Sequence, residues 1–284
     1  MGVLNITPDS FSDGGLFLSP QDALAHGLRL LDEGADILDI GGESTRPGAI
    51  AISAEEELAR VLPTLTALRR ARPAALLSID TTKAAVARAA VSAGADIVND
   101  VSGFLWDDAM PQACAELECG VIVMHTRGRP DLWRLLPDLR RKAVLPLVRE
   151  GLATSLQMGL DAGIRREAMA IDPGFGFGKR GDENYWLLAD LPALSPLSRP
   201  IAVGLSRKSF LSRTLSLIPS PESIATRDSR SDSSDSAATQ PRVIASLAAA
   251  TIAILAGAHI VRAHDVRPTV EAAAIADALL HATP

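Results

Sequence analysis

Cysteine is nearly absent. Cys114 and Cys119 are the only two in 284 residues, they lack a C-x-x-C spacing, and no second Cys or His group accompanies them. A disulfide framework is therefore excluded, and a reducing compartment, the cytoplasm, is expected. Long apolar runs are missing too. The stretch 243–258 is interrupted by Ser246, Thr251 and Gly257, and its alanine content suits a packed helix better than a membrane span. No basic segment followed by an apolar one is seen at the N-terminus, so no targeting peptide is read there. Positive charge is not in excess. The formal net charge of −6 argues against a general nucleic-acid surface. No G-x-G-x-x-G follows the first apolar run, and that counts against a dinucleotide-binding doubly wound sheet.

What is present is a rhythm. Short apolar runs stand at 3–6, 37–40, 76–79, 97–98, 121–124, 169–171, 201–205 and 260–261, and between them lie longer segments with helical spacing, such as 21–33, 54–72, 83–93 and 271–281. Helix starts are signalled by Ser19-Pro20, Ser53 and Asp80-Thr81-Thr82, and helix ends by Gly34, Gly94, Gly120 and Gly257. Eight strand candidates alternating with helices predict a single-domain α/β fold over residues 1–284, a (β/α)8 TIM barrel, with a doubly wound sheet as the competing arrangement. A chain of this length buries about three quarters of its unfolded surface and needs no staples. The Ser/Asp-rich stretch 216–241 departs from the rhythm and reads as a flexible, solvated insertion between strands seven and eight.

Polar residues gather where the apolar runs stop. Strand one ends at Asn5, two at Gly41-Gly42-Glu43, three at Asp80, four at Asn99-Asp100, five at His125 and six at Asp172. Strand seven ends at Ser206-Arg207-Lys208 and eight at Arg262-Ala263-His264-Asp265. In a parallel barrel all eight C-terminal ends meet on one face, which holds the active site. Each residue has a plain structural alternative. Asp80 suits a helix cap, Asn99-Asp100 and Asp172-Pro173-Gly174 suit turns, Lys208 and Arg262 suit solvated charge, and His264 suits a packed histidine. Together they suit one pocket better. Asp80, Asn99 and Asp172 match the N–H edge of a flat, nitrogen-rich heterocycle, at about 1.5–3 kcal/mol per charge-assisted bond. Arg46, Arg262 and His264 supply positive charge and donors for phosphate or pyrophosphate. Asn5 and Asp13 offer oxygens to Mg²⁺, and Lys208 adds a point charge beside the heterocycle. The loops 7–15 and 43–48, rich in Gly, Pro and Ser, are natural covers for that face.

The motifs MGVLNITPDSFSDGG, GGESTRPG, IDPGFGFGK, LSRKSF and RAHDV, in that order, resemble those of the dihydropteroate synthase family, which is built on the pterin-binding barrel. The resemblance covers nearly the whole chain. It implies that the pterin is held by Asp80, Asn99, Met124, Asp172 and Lys208. It implies that pyrophosphate is held by Asn5, Arg46, Arg262 and His264, with Asn5 on the metal, and that p-aminobenzoate is held by Thr45, Pro47, Phe177, Lys208 and Ser209. The catalytic set it implies is Asp13, Arg46, Lys208, Arg262 and His264.

The implied activity is a transferase reaction that joins 6-hydroxymethyl-7,8-dihydropterin pyrophosphate to p-aminobenzoate, with Mg²⁺ as cofactor. The implied partners are these small molecules and a second copy of the chain, with neither nucleic acid nor membrane. The alanine-rich face 245–256 fits either a twin helix or the barrel itself. Sulfonamides, which mimic p-aminobenzoate, are expected to inhibit. Three features depart from the family pattern: a start close to strand one, which is read as a clipped or misassigned beginning, the long 216–241 stretch, and RAHDV, where a valine or isoleucine is usual after the arginine. Two other functions fit the same barrel. A methyltetrahydrofolate-dependent methyltransferase would have no use for GGESTRPG and SRKS, and a non-enzymatic pterin-binding paralogue would be expected to have lost part of the set.

Overall fold

The strand runs are apolar almost throughout, as strands buried on both faces of a parallel sheet require. The computed structural model describes residues 1–7, 19–45, 49–217 and 236–282. Six strands, β1 (Gly2–Asn5), β2 (Ile37–Gly41), β3 (Leu76–Asp80), β4 (Ile97–Asp100), β5 (Gly120–Met124) and β6 (Met169–Asp172), pair in parallel in chain order. Two more, β7 (Ala202–Val203) and β8 (Ile260–Val261), pair with each other. Bridges Ile171–Ile201 and Gly2–Ala263 join β6 to β7 and β8 to β1, so the sheet closes on itself as a TIM barrel. The helices α1 (Pro20–Asp32), α2 (Ala54–Ala71), α3 (Ala84–Ser92), α4 (Met110–Leu117), α5 (Arg141–Asp161) and α6 (Asp182–Ala189) each follow one of the first six strands. Helices α7 (Ser209–Leu215) and α8 (Ser236–Leu255) lie between β7 and β8, and α9 (Val266–Ala282) follows β8.

Alternation divides the apolar side chains into two cores. The outward set, including Leu4, Leu38, Ile40, Leu77, Ile79, Val98, Val121 and Val123, packs against helix residues such as Leu30, Leu65, Leu68 and Leu152. The inward set is smaller: Ile122, Ala170 and Ala202, with Met1, Ile97 and Ile260 against them, form an apolar floor inside the barrel. Above this floor the inward positions turn polar. One register row runs Asn5–Gly41–Asp80–Asn99–Ile122–Ala170 across six strands. Because barrel strands are staggered, the row starts at strand ends, where it is polar, and finishes in the floor, where it is apolar.

Several sequence expectations need correction. Ser19 and Ser53 do cap α1 and α2, accepting from Asp22 N at 3.1 Å and Glu56 N at 3.2 Å. Asp80 does not cap α3. Lys83 holds that cap position, and the Ala84 amide is taken by Asp107 Oδ2 at 2.7 Å. Gly34, Gly94 and Gly257 adopt left-handed φ of +103°, +112° and +96°, but Gly120 opens β5, and Glu118 (φ +51°) makes the turn after α4. Only the two ends of the stretch 216–241 are described. Ser216 caps the C-terminus of α7, and residues 236–241 belong to α8. Pro241 lies inside that helix, past its first turn, where it removes one backbone bond and its ring crowds the carbonyl four residues back. The rest, 218–235, lies outside the described residues. The alanine face of α8 turns inward: Ala249 and Ala253 join the outer core, while Ile244 and Ile252 face out at 60% and 53% exposure. Among the described residues no helix is long and apolar enough to cross a membrane.

Candidate functional site

The staggered polar row places its carboxylates at the C-terminal mouth of the barrel. A narrow cavity there is lined by Thr45, Asp80, Asn99, Val101, Met124, Asp172, Gly174, Phe175, Phe177, Gly204, Lys208 and Arg262. Residues from six strand ends thus converge, and every pterin residue expected from the sequence is among them. A roomier hollow beside the N-terminal ends of β7 and β8, lined by Ser195, Arg199, Ile201, Leu255 and His259 among others, contains no carboxylate or side-chain amide. The narrow one is the candidate site.

Arg262 organises the cavity's floor. Its Nε donates to Asp39 Oδ2 at 2.6 Å and its Nη2 to Asp80 Oδ2 at 2.7 Å. Asn99 Nδ2 donates to the same Asp39 oxygen at 3.1 Å. Burial drives Arg262 down, but Asp39 and Asp80 outweigh it and hold the guanidinium above its ordinary range. Asp80 is pushed up to about 7, chiefly by burial and further by Asp39, against the pull of Arg262. Burial likewise raises Asp172, although the Gly174 amide (2.7 Å to Oδ1) and Lys208 favour its charge. Asp172 is therefore both turn and wall: one oxygen sets the turn and the side chain still lines the cavity.

Lys208 is lowered to about 8, by burial first, with Asp172 opposing. Its Nζ stands 4.3 Å from the Phe177 ring centroid, a cation–π contact. Phe177 is held edge-on by Trp133 at 5.3 Å, whose indole N–H is anchored on Gly128 O at 2.9 Å. The loop carrying Phe177 turns through Gly174, Gly176 and Gly178, at φ +69°, +82° and +73°. A Cβ on Gly174 would stand 2.0 Å from His125 O.

His264 does not carry the charge expected of it. Burial, with Arg262 and Arg207 nearby, lowers it to about 3, so the ring is neutral at pH 7, and its Nδ1 meets Ser206 Oγ at 3.0 Å. It contributes a neutral ring nitrogen beside the cavity. Asn5 stands beside Asp80: a Cβ on Gly41 would come within 3.3 Å of Asn5 Oδ1 and 3.7 Å of Asp80 Oδ2, so bare Gly41 leaves room for both oxygens. Thr45 reaches the cavity; Ser209, next to Lys208, is exposed as the first residue of α7. Asp13, Arg46 and Pro47 lie outside the described residues.

Two participants escaped the sequence reading. Asp39 is fully buried in mid-strand β2, and a carboxylate within the apolar run ILDI, two residues before the glycine that ends the strand, was the signal for it. Lys179, also buried, donates to the carbonyls of His125, Gly174 and Phe177 at 3.2, 2.8 and 3.3 Å and holds the glycine loop together.

A family model for pterin binding enzymes matches residues 1–264. Dihydropteroate synthase of Mycobacterium leprae is 43% identical, covering 100% of this chain and 94% of that protein. The crystal structure of Yersinia pestis dihydropteroate synthase with a sulfonamide drug complex aligns with a TM-score of 0.85 at 40% identity, over 99% of this chain and 93% of that one. That of Xanthomonas albilineans dihydropteroate synthase with 4-aminobenzoic acid aligns with a TM-score of 0.82 at 42% identity, over 100% and 93%. A closed parallel barrel with a polar mouth of this composition, matched in this way, belongs to the pterin-binding enzymes. Within them the chain belongs with the dihydropteroate synthases, transferases of folate synthesis.

Proposed function

We propose that this chain condenses 6-hydroxymethyl-7,8-dihydropterin pyrophosphate with p-aminobenzoate, giving 7,8-dihydropteroate and pyrophosphate. The observation that carries the reading is the convergence of Asp80, Asn99, Asp172, Lys208 and Arg262 on one narrow cavity. The two carboxylates and the amide take the N–H edges of the pterin, and Met124 packs on its flat face. Lys208, held over Phe177, spans the pterin and aminobenzoate sides, with Thr45, Pro47 and Ser209 completing the latter. Asn5, Arg46, Arg262 and His264 receive the pyrophosphate, and Asp13 is assigned to the same step. The carbon–oxygen bond to pyrophosphate breaks, the bond from the methylene carbon to the amine nitrogen forms, and the amine loses a proton to solvent. Buried carboxylates stabilise positive charge on the pterin during departure.

Mg²⁺ suits this donor set. Among the described residues no group of three His, Cys, Asp or Glu side chains could cage a metal. An ion bound through one amide oxygen, Asn5 Oδ1, plus substrate phosphates and water needs no such cage. When bound, it supplies charge neutralisation for the leaving group. The same reading makes the protein a single cytoplasmic barrel domain, acting on small molecules as a homodimer, with the outward apolar residues Ile244 and Ile252 of α8 and Ile275 of α9 covered by the second copy.

The test is pyrophosphate release from the pterin substrate with and without p-aminobenzoate, in the presence of Mg²⁺ and without a corrinoid protein. Release that depends on p-aminobenzoate supports the reading. Release that ignores it, or a requirement for a corrinoid partner, refutes it, and full turnover in excess chelator removes the metal from the scheme.

A further inference from the structure

The segment between β2 and α2 carries Thr45 to the cavity, and its two ends are tied together from behind. Glu43 Oε1 accepts from the Ile52 amide at 3.0 Å, joining the neck of the segment. The other oxygen of Glu43 lies 2.6 Å from Lys83 Nζ, and Lys83 Nζ is also 2.6 Å from Glu57 Oε2. Glu57 is fully buried, and its second oxygen has no partner. Arg60 Nη1 adds a bond to Gly42 O at 2.9 Å. Gly42 sits so close to α2 that a Cβ there would meet Val61 Cγ1 at 2.7 Å and Glu57 Cγ at 3.0 Å.

None of Glu43, Lys83 or Glu57 lines the cavity. We propose that the Glu43–Lys83–Glu57 triad is a positioning device that fixes the neck at Glu43 and Ile52, and with it the placement of Thr45 for p-aminobenzoate. A buried carboxylate with an idle oxygen is a poor stabilising element, since an apolar side chain of similar size would pack there at less cost. What charge adds is direction: one ammonium holds two carboxylates at hydrogen-bond distance, and the outer one in turn holds a backbone amide. The strand end, the start of α2 and the start of α3 are thereby set in one register. Burial raises Glu57 and Lys83 opposes that shift, as expected of a carboxylate retained for its partner. This inference rests on the function proposed above, in that it assigns Thr45 to the amine substrate.

The experiment uses the full chain with three substitutions. Glu43→Ala removes the Ile52 acceptor and leaves the buried Lys83–Glu57 pair intact, so folding is preserved. Lys83→Met removes the link, and Lys83→Arg keeps it. Hydrogen exchange at the Ile52 amide, which needs no substrate, should quicken about tenfold in Glu43→Ala and Lys83→Met, and KM for p-aminobenzoate should rise about tenfold, the scale of one charge-assisted bond. The affinity for the pterin pyrophosphate, measured alone by calorimetry, should stay within about twofold on the same scale, and Lys83→Arg should recover most of the loss. Faster Ile52 exchange with an unchanged KM for p-aminobenzoate overturns the inference and leaves the proposed function standing. So does an equal loss of both substrates. An unmodified enzyme that ignores p-aminobenzoate ends the proposed function and the substrate role of the clasp together, whereas the exchange data would still report whether the clasp exists.

Discussion

Arg262 Nη2 donates to Asp80 Oδ2 at 2.7 Å, joining residues 182 positions apart. The pair ties the end of β3 to the end of β8 and makes the cavity floor depend on barrel closure. Asp80→Asn should keep the shape and lose the charge. Pterin affinity should fall about 10- to 100-fold, the worth of one charge-assisted bond, and the melting temperature should hold or rise, because burial sets the ionised Asp80 at a cost that Arg262 does not offset. Calorimetric titration and a thermal melt check both.

Asp80 at about 7 and Lys208 at about 8 define a pH window. Asp80 is raised, so in the empty enzyme it takes up a proton as pH falls below 7, and a protonated carboxyl cannot accept two N–H bonds. The pterin prefers the ionised form, so binding expels that proton, and affinity declines by up to about tenfold per pH unit below the window. Lys208 is lowered, so it loses its charge as pH rises above 8, and affinity declines again on that side. Pterin titrations across the range should give a bell-shaped curve, with proton release detected on the acid limb by comparing buffers of different ionisation enthalpy. A flat profile would show that neither group titrates against the ligand.

Gly174 has no tolerance for a side chain. Its φ is +69°, and a Cβ would stand 2.0 Å from His125 O. Gly174→Ala should destabilise the fold by about 2–5 kcal/mol, combining a strained backbone with overpacking. Chemical denaturation measures it, and a loss under 1 kcal/mol would mean that the loop re-forms in another way.

Sulfonamides should compete with p-aminobenzoate. Residues 43–48 read Glu-Ser-Thr-Arg-Pro-Gly without an insertion, and discrimination between two ligands requires a clash or an unpaired group where they differ. Added bulk near Thr45 or Phe177 would be such a clash. Inhibition kinetics with p-aminobenzoate as the varied substrate should give a raised KM and an unchanged kcat. Replacing Pro47 with a larger residue should weaken the drug more than the substrate.

Much of the site was legible one residue at a time. Asp80, Asn99, Asp172, Lys208 and Arg262 follow apolar runs, and the barrel rule that gathers strand ends on one face needed only their order. Asp39 was not legible this way because it lies within its run and not at its end. The Glu43–Lys83 contact joins two loops 40 positions apart, and no spacing rule relates them. His264 was assigned a charge from its residue type; the burial that removes that charge, with Arg262 and Arg207 adding to it, exists only in the folded chain.

Apolar runs, helix caps and the positions of polar residues are local properties of the chain, and through them the sequence alone determined the eight β/α units, the end of the barrel at which polar side chains gather, and the kinds of side chain found there. Closure of the ring was decided only in three dimensions. It places Arg262 against Asp39 and Asp80, 223 and 182 residues away, and it removes the water that would otherwise hold Asp80, Lys208 and His264 near their ordinary pKa values. Desolvation depends on everything packed around a group, and a linear sequence records only its chain neighbours.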